Sequence, residues 1–129
     1  EKEEFGTTLH IMEEGIDSGD IVLEKRFPIS KNIWIQDLYQ KTFEETLEVF
    51  KSSLELLSKG EIQTTPQEDL IEKRGTSLHY RDEIQKLKRI DPSWETNKIL
   101  KYIRATSMPG FSPPFMEVDG KSIEFVTKD

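Results

Sequence analysis

The chain has 129 residues, a formal net charge of −7 and no cysteine. That excludes disulfides, thiolate zinc sites and a cysteine nucleophile, and it disfavours long-range attraction of nucleic acid. Hydrophobic residues make up 34% and charged residues 33%, a polar balance expected of a small or elongated domain, or of one completed by another piece.

The sequence opens at Glu1 without an initiator Met, as a chain with a trimmed tag or a lost N-terminal part does. A β-prone run begins almost at once, over about Thr7 to Met12, with Leu9 and Ile11 on one face and Thr8, His10 and Met12 on the other. Glu13 to Gly19 reads as an acidic turn in which Gly15 and Gly19 permit backbone angles that other residues resist. A returning strand runs from Ile21 to Phe27 and stops at Pro28.

A long helix is predicted over Trp34–Lys59, where Ile35, Leu38, Phe43, Leu47, Phe50, Leu54 and Leu57 recur at three- and four-residue steps. Ser30 or Asn32 suits its start and Gly60 its end. One hairpin is thin cover for so long an apolar stripe, so the stripe is expected to drive association. Glu61 to Leu78 is polar, with Pro66 and Gly75, and reads as a linker or extended arm. A short helix is expected over Arg81–Arg89, where Lys86, Lys88 and Arg89 read as a solvated helix face. Another helix is expected over Trp94–Thr106, capped by Ser93. Asp119-Gly120 between two β-prone runs, Phe115 to Val118 and Lys121 to Thr127, then signals a closing hairpin. No apolar run approaches the ~20 residues that span a bilayer, and no signal-peptide pattern opens the chain. The expectation is a soluble, cytoplasmic protein with no membrane partner.

Two residues stand out chemically. Asp17 sits between two glycines of the acidic turn, where a carboxylate serves either the turn's own N–H groups or a ligand at a sheet rim. His10, one strand upstream, is either a packed strand histidine or the partner of Asp17 in proton transfer. Glu13, Glu14, Asp17 and Asp20 lack the ligand spacing of a calcium loop, so no metal is expected.

The run from Gly6-Thr7-Thr8-Leu9-His10-Ile11 through Gly15-Ile16-Asp17-Ser18-Gly19-Asp20-Ile21 resembles the aspartate loop of 10-formyltetrahydrofolate-dependent formyltransferases. Ile90-Asp91-Pro92-Ser93-Trp94, Ile103-Arg104-Ala105 and Met108-Pro109-Gly110-Phe111 are similar to the segment that follows the catalytic domain in the methionyl-tRNA and sugar enzymes. The Pro113-Pro114-Phe115 to Asp119-Gly120-Lys121 hairpin is more like the sugar N-formyltransferases.

The resemblance implies an α/β fold. On this resemblance residues 1–62 are expected to be the C-terminal half of a Rossmann-like formyltransferase domain (β-loop-β plus long helix), and residues 63–129 an arm, short helices and a β-hairpin. It implies Asp17 and His10 as catalytic residues, Glu14, Gly15 and Ile16 as contacts of 10-formyltetrahydrofolate, and His79 and Tyr80 as substrate contacts. The implied partners are folate, a nucleotide-linked amino sugar, and either a second copy (through Phe111, Phe115 and Met116) or a complementing N-terminal half. The family's Asn-x-His motif is missing, since Asn32 and Asn97 have no histidine two residues on. The chain is therefore expected to be inactive without that half. The alternatives are a fragment of a methionyl-tRNA formyltransferase, which the net acidity disfavours, and a non-catalytic dimerisation or binding module.

Overall fold

A computed structural model describes residues 3–126. Among them lie four strands, β1 (Glu4–His10), β2 (Ile21–Pro28), β3 (Phe115–Val118) and β4 (Lys121–Glu124), and four helices, α1 (Ile35–Lys59), α2 (Glu68–Arg74), α3 (Glu83–Lys88) and α4 (Thr96–Thr106). The strands form two separate antiparallel pairs, β1–β2 and β3–β4. The chain divides into two units. One holds the described residues up to 29 together with 40–77, and the other holds residues 30–39 and those from 78 onward.

In the first unit, β1 and β2 pair from Glu4↔Pro28 to Leu9↔Leu23 and then slip, with His10 opposite Ile21. The extra residue, Val22, makes a bulge, a device that bends a strand end and re-aims its side chains. Strand alternation puts Phe5, Thr7 and Leu9 of β1 on one face with Phe27, Lys25 and Leu23 of β2 opposite them. That face meets α1. Thr7 Oγ1 and Thr46 Oγ1 are 2.7 Å apart, Lys25 pairs with Glu45, and the Lys41 ammonium lies 5.2 Å from the centre of the Phe27 ring. Phe27 and Val49 are buried there. The remaining apolar stripe of α1, Phe43, Leu47, Phe50, Leu54 and Leu57, is exposed.

β1 starts earlier than the apolar pattern indicates, because Glu4 and Phe5 pair with the end of β2. The larger difference lies in the stretch read as a linker. Thr65 exchanges two 2.8 Å backbone hydrogen bonds with Ile21, an isolated antiparallel bridge at the start of β2, and α2 follows. Its signals are an acidic first turn (Glu68, Asp69), a basic last turn (Lys73, Arg74) and Gly75 at φ 71° closing it. Seven residues are too few for a visible helical period.

In the second unit Ile90 and Pro114 are fully buried. Ile90 N–H donates to Phe115 O at 2.7 Å and Phe125 N–H to Pro114 O at 2.9 Å, which ties the hairpin to the chain after α3. Lys88 departs from the solvated helix face expected of it. It is buried, and its ammonium donates to Ser112 Oγ at 3.1 Å, while its neighbour Arg89 pairs with Glu117 on β3. Asp119 and Gly120 both take positive φ (49° and 72°), as a two-residue primed turn requires. Ser93 does not cap α4. Its N–H and hydroxyl both donate to Asp91 Oδ1, at 2.8 and 2.7 Å, and the helix starts at Thr96 with Glu95 at its N-cap. Trp94 packs on Tyr102 with ring centres 4.7 Å apart, and Lys98 lies 3.9 Å over the Trp94 ring. Thr127, expected at the end of β4, falls outside the described residues.

Burial ranks the two aromatic residues of the β1–β2 pair. Phe27→Ala is expected to cost about 3–5 kcal/mol in urea unfolding, while Phe5→Ala, at a residue 42% exposed, costs clearly less. Equal losses would contradict the packing described.

Candidate active site

The connection between β1 and β2 carries most of the candidate residues. Its neck is closed by Ile11 N–H donating to Asp20 O at 2.9 Å. Gly19 is required at this neck, because a Cβ there would stand 1.8 Å from Ile11 O. The left-handed residue of the turn is Asp17 itself, at φ 52°. Gly15 and Gly19 therefore serve by lacking a side chain and not by adopting positive φ. Aspartate tolerates this region better than most non-glycine residues, and such a residue is worth inspection for function.

His10, at the bulged end of β1, completes the pair. Its Nδ1 lies 3.0 Å from Ile11 O, so Nδ1 carries a proton and donates it. Nε2 then faces outward and stands 3.7 Å from Asp17 Oδ1. The imidazole is mostly covered, while the Asp17 side chain is 87% exposed. An exposed carboxylate beside a held imidazole can accept a proton from a bound molecule and share it with Nε2.

The pair borders a cleft of about 1010 Å³, large enough for a cofactor- or nucleotide-sized ligand. Thr8, His10 and Ile21 supply the strand side, Glu13, Ile16, Asp17 and Ser18 the turn, and Gln67, Leu70, Ile71 and Arg74 the wall from α2. Ile16 is thus in the cleft, and Glu14 and Gly15 complete the turn between Glu13 and Ile16. His79 and Tyr80 belong to the second unit. There both are exposed, and His79 Nδ1 lies 3.0 Å from Glu83 Oε2, a contact that lowers the Glu83 pKa.

The α2 wall is what sequence reasoning missed. Gln67 Nε2 donates to Asp17 O (2.8 Å) and to Gly19 O (2.7 Å). Thr64 Oγ1 donates to Asp20 Oδ2 at 2.9 Å. Arg74 reaches back to Glu24 on β2, whose other oxygen accepts from Arg26 Nε at 2.6 Å. Among the described residues, no group of three or more His, Asp or Glu side chains is placed to hold a metal, and no helix is long and apolar enough to cross a membrane.

Chains of similar sequence and fold are known. No family model matches the chain. It is 33% identical over 109 residues to the methionyl-tRNA formyltransferase of Bartonella quintana (strain Toulouse), covering 83% of this chain and 33% of that one. It is 25% identical over 118 residues to the GDP-perosamine N-formyltransferase of Brucella melitensis biotype 1, covering 92% of this chain and 43% of the relative. In fold it is similar to the N-formyltransferase of Helicobacter canadensis, solved with folinic acid and dTDP-3-aminofucose. The TM-score is 0.74 at 24% identity, over 92% of this chain and 42% of that one. The homologues of this chain are formyltransferases, and the chain spans 33% and 43% of the two curated relatives.

Glu24 gives the site a measurable pH response. The hydrogen bond from Arg26, aided by Arg74 and opposed by partial burial, holds its carboxyl below the ordinary 4.5. The folded state therefore favours the charged form. The resulting stability is present above about pH 4.5 and is lost as pH falls through the lower folded value. Glu24→Gln is expected to flatten the fall in thermal stability below pH 4.5, and an acid limb unchanged by the substitution would count against the Arg26–Glu24–Arg74 linkage.

Proposed function

We propose that the chain is the C-terminal part of a 10-formyltetrahydrofolate-dependent formyltransferase with a Rossmann-like catalytic domain, acting on the amine of a nucleotide-linked amino sugar. The observation that carries this reading is the His10 Nε2–Asp17 Oδ1 pair, 3.7 Å apart at the wall of the cleft. Formyl transfer needs a group that takes a proton from the attacking amine. The amine nitrogen bonds to the formyl carbon, the carbonyl electron pair moves onto oxygen, and the nitrogen must then lose a proton. Asp17, exposed and adjacent to an imidazole, accepts it. Collapse of the oxyanion breaks the bond between the formyl carbon and folate N10, which takes up a proton.

The cleft suits these reactants. Ile16, Ile21, Leu70 and Ile71 give it an apolar wall for a flat heteroaromatic ring. Glu14, Gly15 and Ile16 present the turn to the formyl donor, and His79 and Tyr80 contact the acceptor. The oxyanion donors come from an Asn-x-His segment that is not in this sequence, so in this reading the chain supplies the base and the imidazole and needs the rest of the enzyme for activity. That remainder, or a second copy of the chain, packs on the exposed stripe of α1.

A second reading, a methionyl-tRNA formyltransferase, is favoured by the higher identity of that relative. The net charge of −7 weighs against a tRNA acceptor, because nucleic-acid affinity is dominated by phosphate neutralisation.

The test supplies the missing segment, as one polypeptide or as a separate chain, and measures formyl transfer from 10-formyltetrahydrofolate to a nucleotide-linked amino sugar and, in parallel, to methionyl-tRNA. Transfer to the sugar is expected, and Asp17→Asn is expected to reduce kcat by about 10²- to 10⁴-fold. Transfer to tRNA alone would move the assignment to the second reading, and an unchanged kcat in the variant would remove Asp17 from the mechanism. Paired Leu47→Asp and Leu54→Asp substitutions are expected to leave α1 helical by circular dichroism yet abolish assembly with the supplied segment; assembly undiminished in this variant would place the contact elsewhere.

A further inference from the structure

Asp17 holds a left-handed backbone conformation, which aspartate tolerates better than most residues but adopts far less often than negative φ. The side chain best placed to impose it is distant in sequence. Gln67 occupies the N-cap position of α2 but makes no side-chain cap bond to its own helix. Its amide nitrogen has two hydrogens, and it lies 2.8 Å from Asp17 O and 2.7 Å from Gly19 O. Both hydrogens thus point at carbonyls of one turn, on either side of Ser18, and this two-carbonyl environment fixes which end of the amide faces the turn.

Two neighbouring contacts hold the same segment without touching Asp17. Thr64 Oγ1 donates to the Asp20 side chain, and Thr65 exchanges backbone bonds with Ile21. These secure the base of the connection, whereas Gln67 grips its tip. We infer that Gln67 is a positioning residue. It locks the Asp17–Gly19 turn in the left-handed form that brings the Asp17 carboxylate to His10 Nε2. Without the amide, the Asp17 and Gly19 carbonyls turn to solvent, Asp17 relaxes to negative φ, and its Cα–Cβ bond swings away from the imidazole. The catalytic consequence rests on the functional reading given above, and the geometric claim does not.

The experiment therefore has two arms. In the first, NMR of this chain reads the HN–Hα coupling of Asp17, which reports φ, and the nuclear Overhauser effect between the His10 ring protons and the Asp17 Hβ protons, which reports their approach. Gln67→Ala and the near-isosteric Gln67→Glu, which has no N–H to donate, are both expected to change the coupling and to weaken the nuclear Overhauser effect. Thr64→Val, which removes the neighbouring bond, is expected to lower thermal stability while leaving both signatures in place. Unchanged signatures in the Gln67 variants, or equal changes in Thr64→Val, overturn the inference. In the second arm, with the enzyme completed as above, Gln67→Glu is expected to lower kcat roughly 10- to 100-fold, a larger change than in KM for the formyl donor, as small misplacements of a reacting group do. If the completed protein transfers no formyl group even with Gln67 intact, the functional reading fails while the NMR arm still decides the role of Gln67.

Discussion

A two-stranded ribbon cannot stabilise itself in water, and the first unit is arranged around that constraint. β1 and β2 must be covered, and α1 covers one face through Thr46, Glu45 and the Lys41–Phe27 contact. The other face carries Thr8, His10, Glu24 and Arg26, a set too polar to bury against a second large helix. It is walled instead by the short α2, anchored by Arg74 to Glu24. The gap left between a polar strand face and a short helix is the cleft. The bulge at Val22 then decides what the cleft contains, because the register slip brings Ile21 opposite His10 at its edge.

The parts of this architecture legible in the sequence are those whose signals are local. The stripe from Phe43 to Leu57 defines α1 over several turns, and Asp119-Gly120 specifies its own turn geometry at both residues. What stayed hidden depends on partners far away in the chain. α2 is seven residues long and has no buried residue, so its reason to exist lies in bonds from Gln67 and Arg74 to residues about fifty positions earlier. Its end signals are present but weak individually. Ser93 shows the opposite error. A serine before an apolar-periodic run reads as a cap, but Asp91, two residues back, offers a carboxylate that takes both its N–H and its hydroxyl.

The candidate site divides in the same way. His10 and Asp17 are seven positions apart on a strand and its adjoining turn, so their proximity is a local matter, and the 3.7 Å separation reflects that. The wall opposite them comes from α2 and could not be anticipated from spacing. The exposed stripe of α1 is a further non-local matter. Five large apolar residues on one helix face, each 45–63% exposed, make a surface of the kind that marks an interaction site, and the chain's relatives are more than twice as long as the part it matches.

The turn itself explains why aspartate stands at position 17. Left-handed backbone there admits glycine, asparagine or aspartate at low cost and penalises nearly everything else. Of those three, only aspartate brings a charge that can accept a proton. The two neighbouring glycines meet a different demand. At Gly19 the constraint is the Ile11 carbonyl, 1.8 Å from where a Cβ would lie, and at Gly15 it is the Ser18 hydroxyl, 2.3 Å away. Since a serine side chain can rotate and a backbone carbonyl in a closed neck cannot, Gly19 is the stricter of the two. The turn that presents the Asp17 carboxylate is therefore shaped by three things at once: a backbone region open to few residues, a neck that only glycine can close, and an amide from the start of α2.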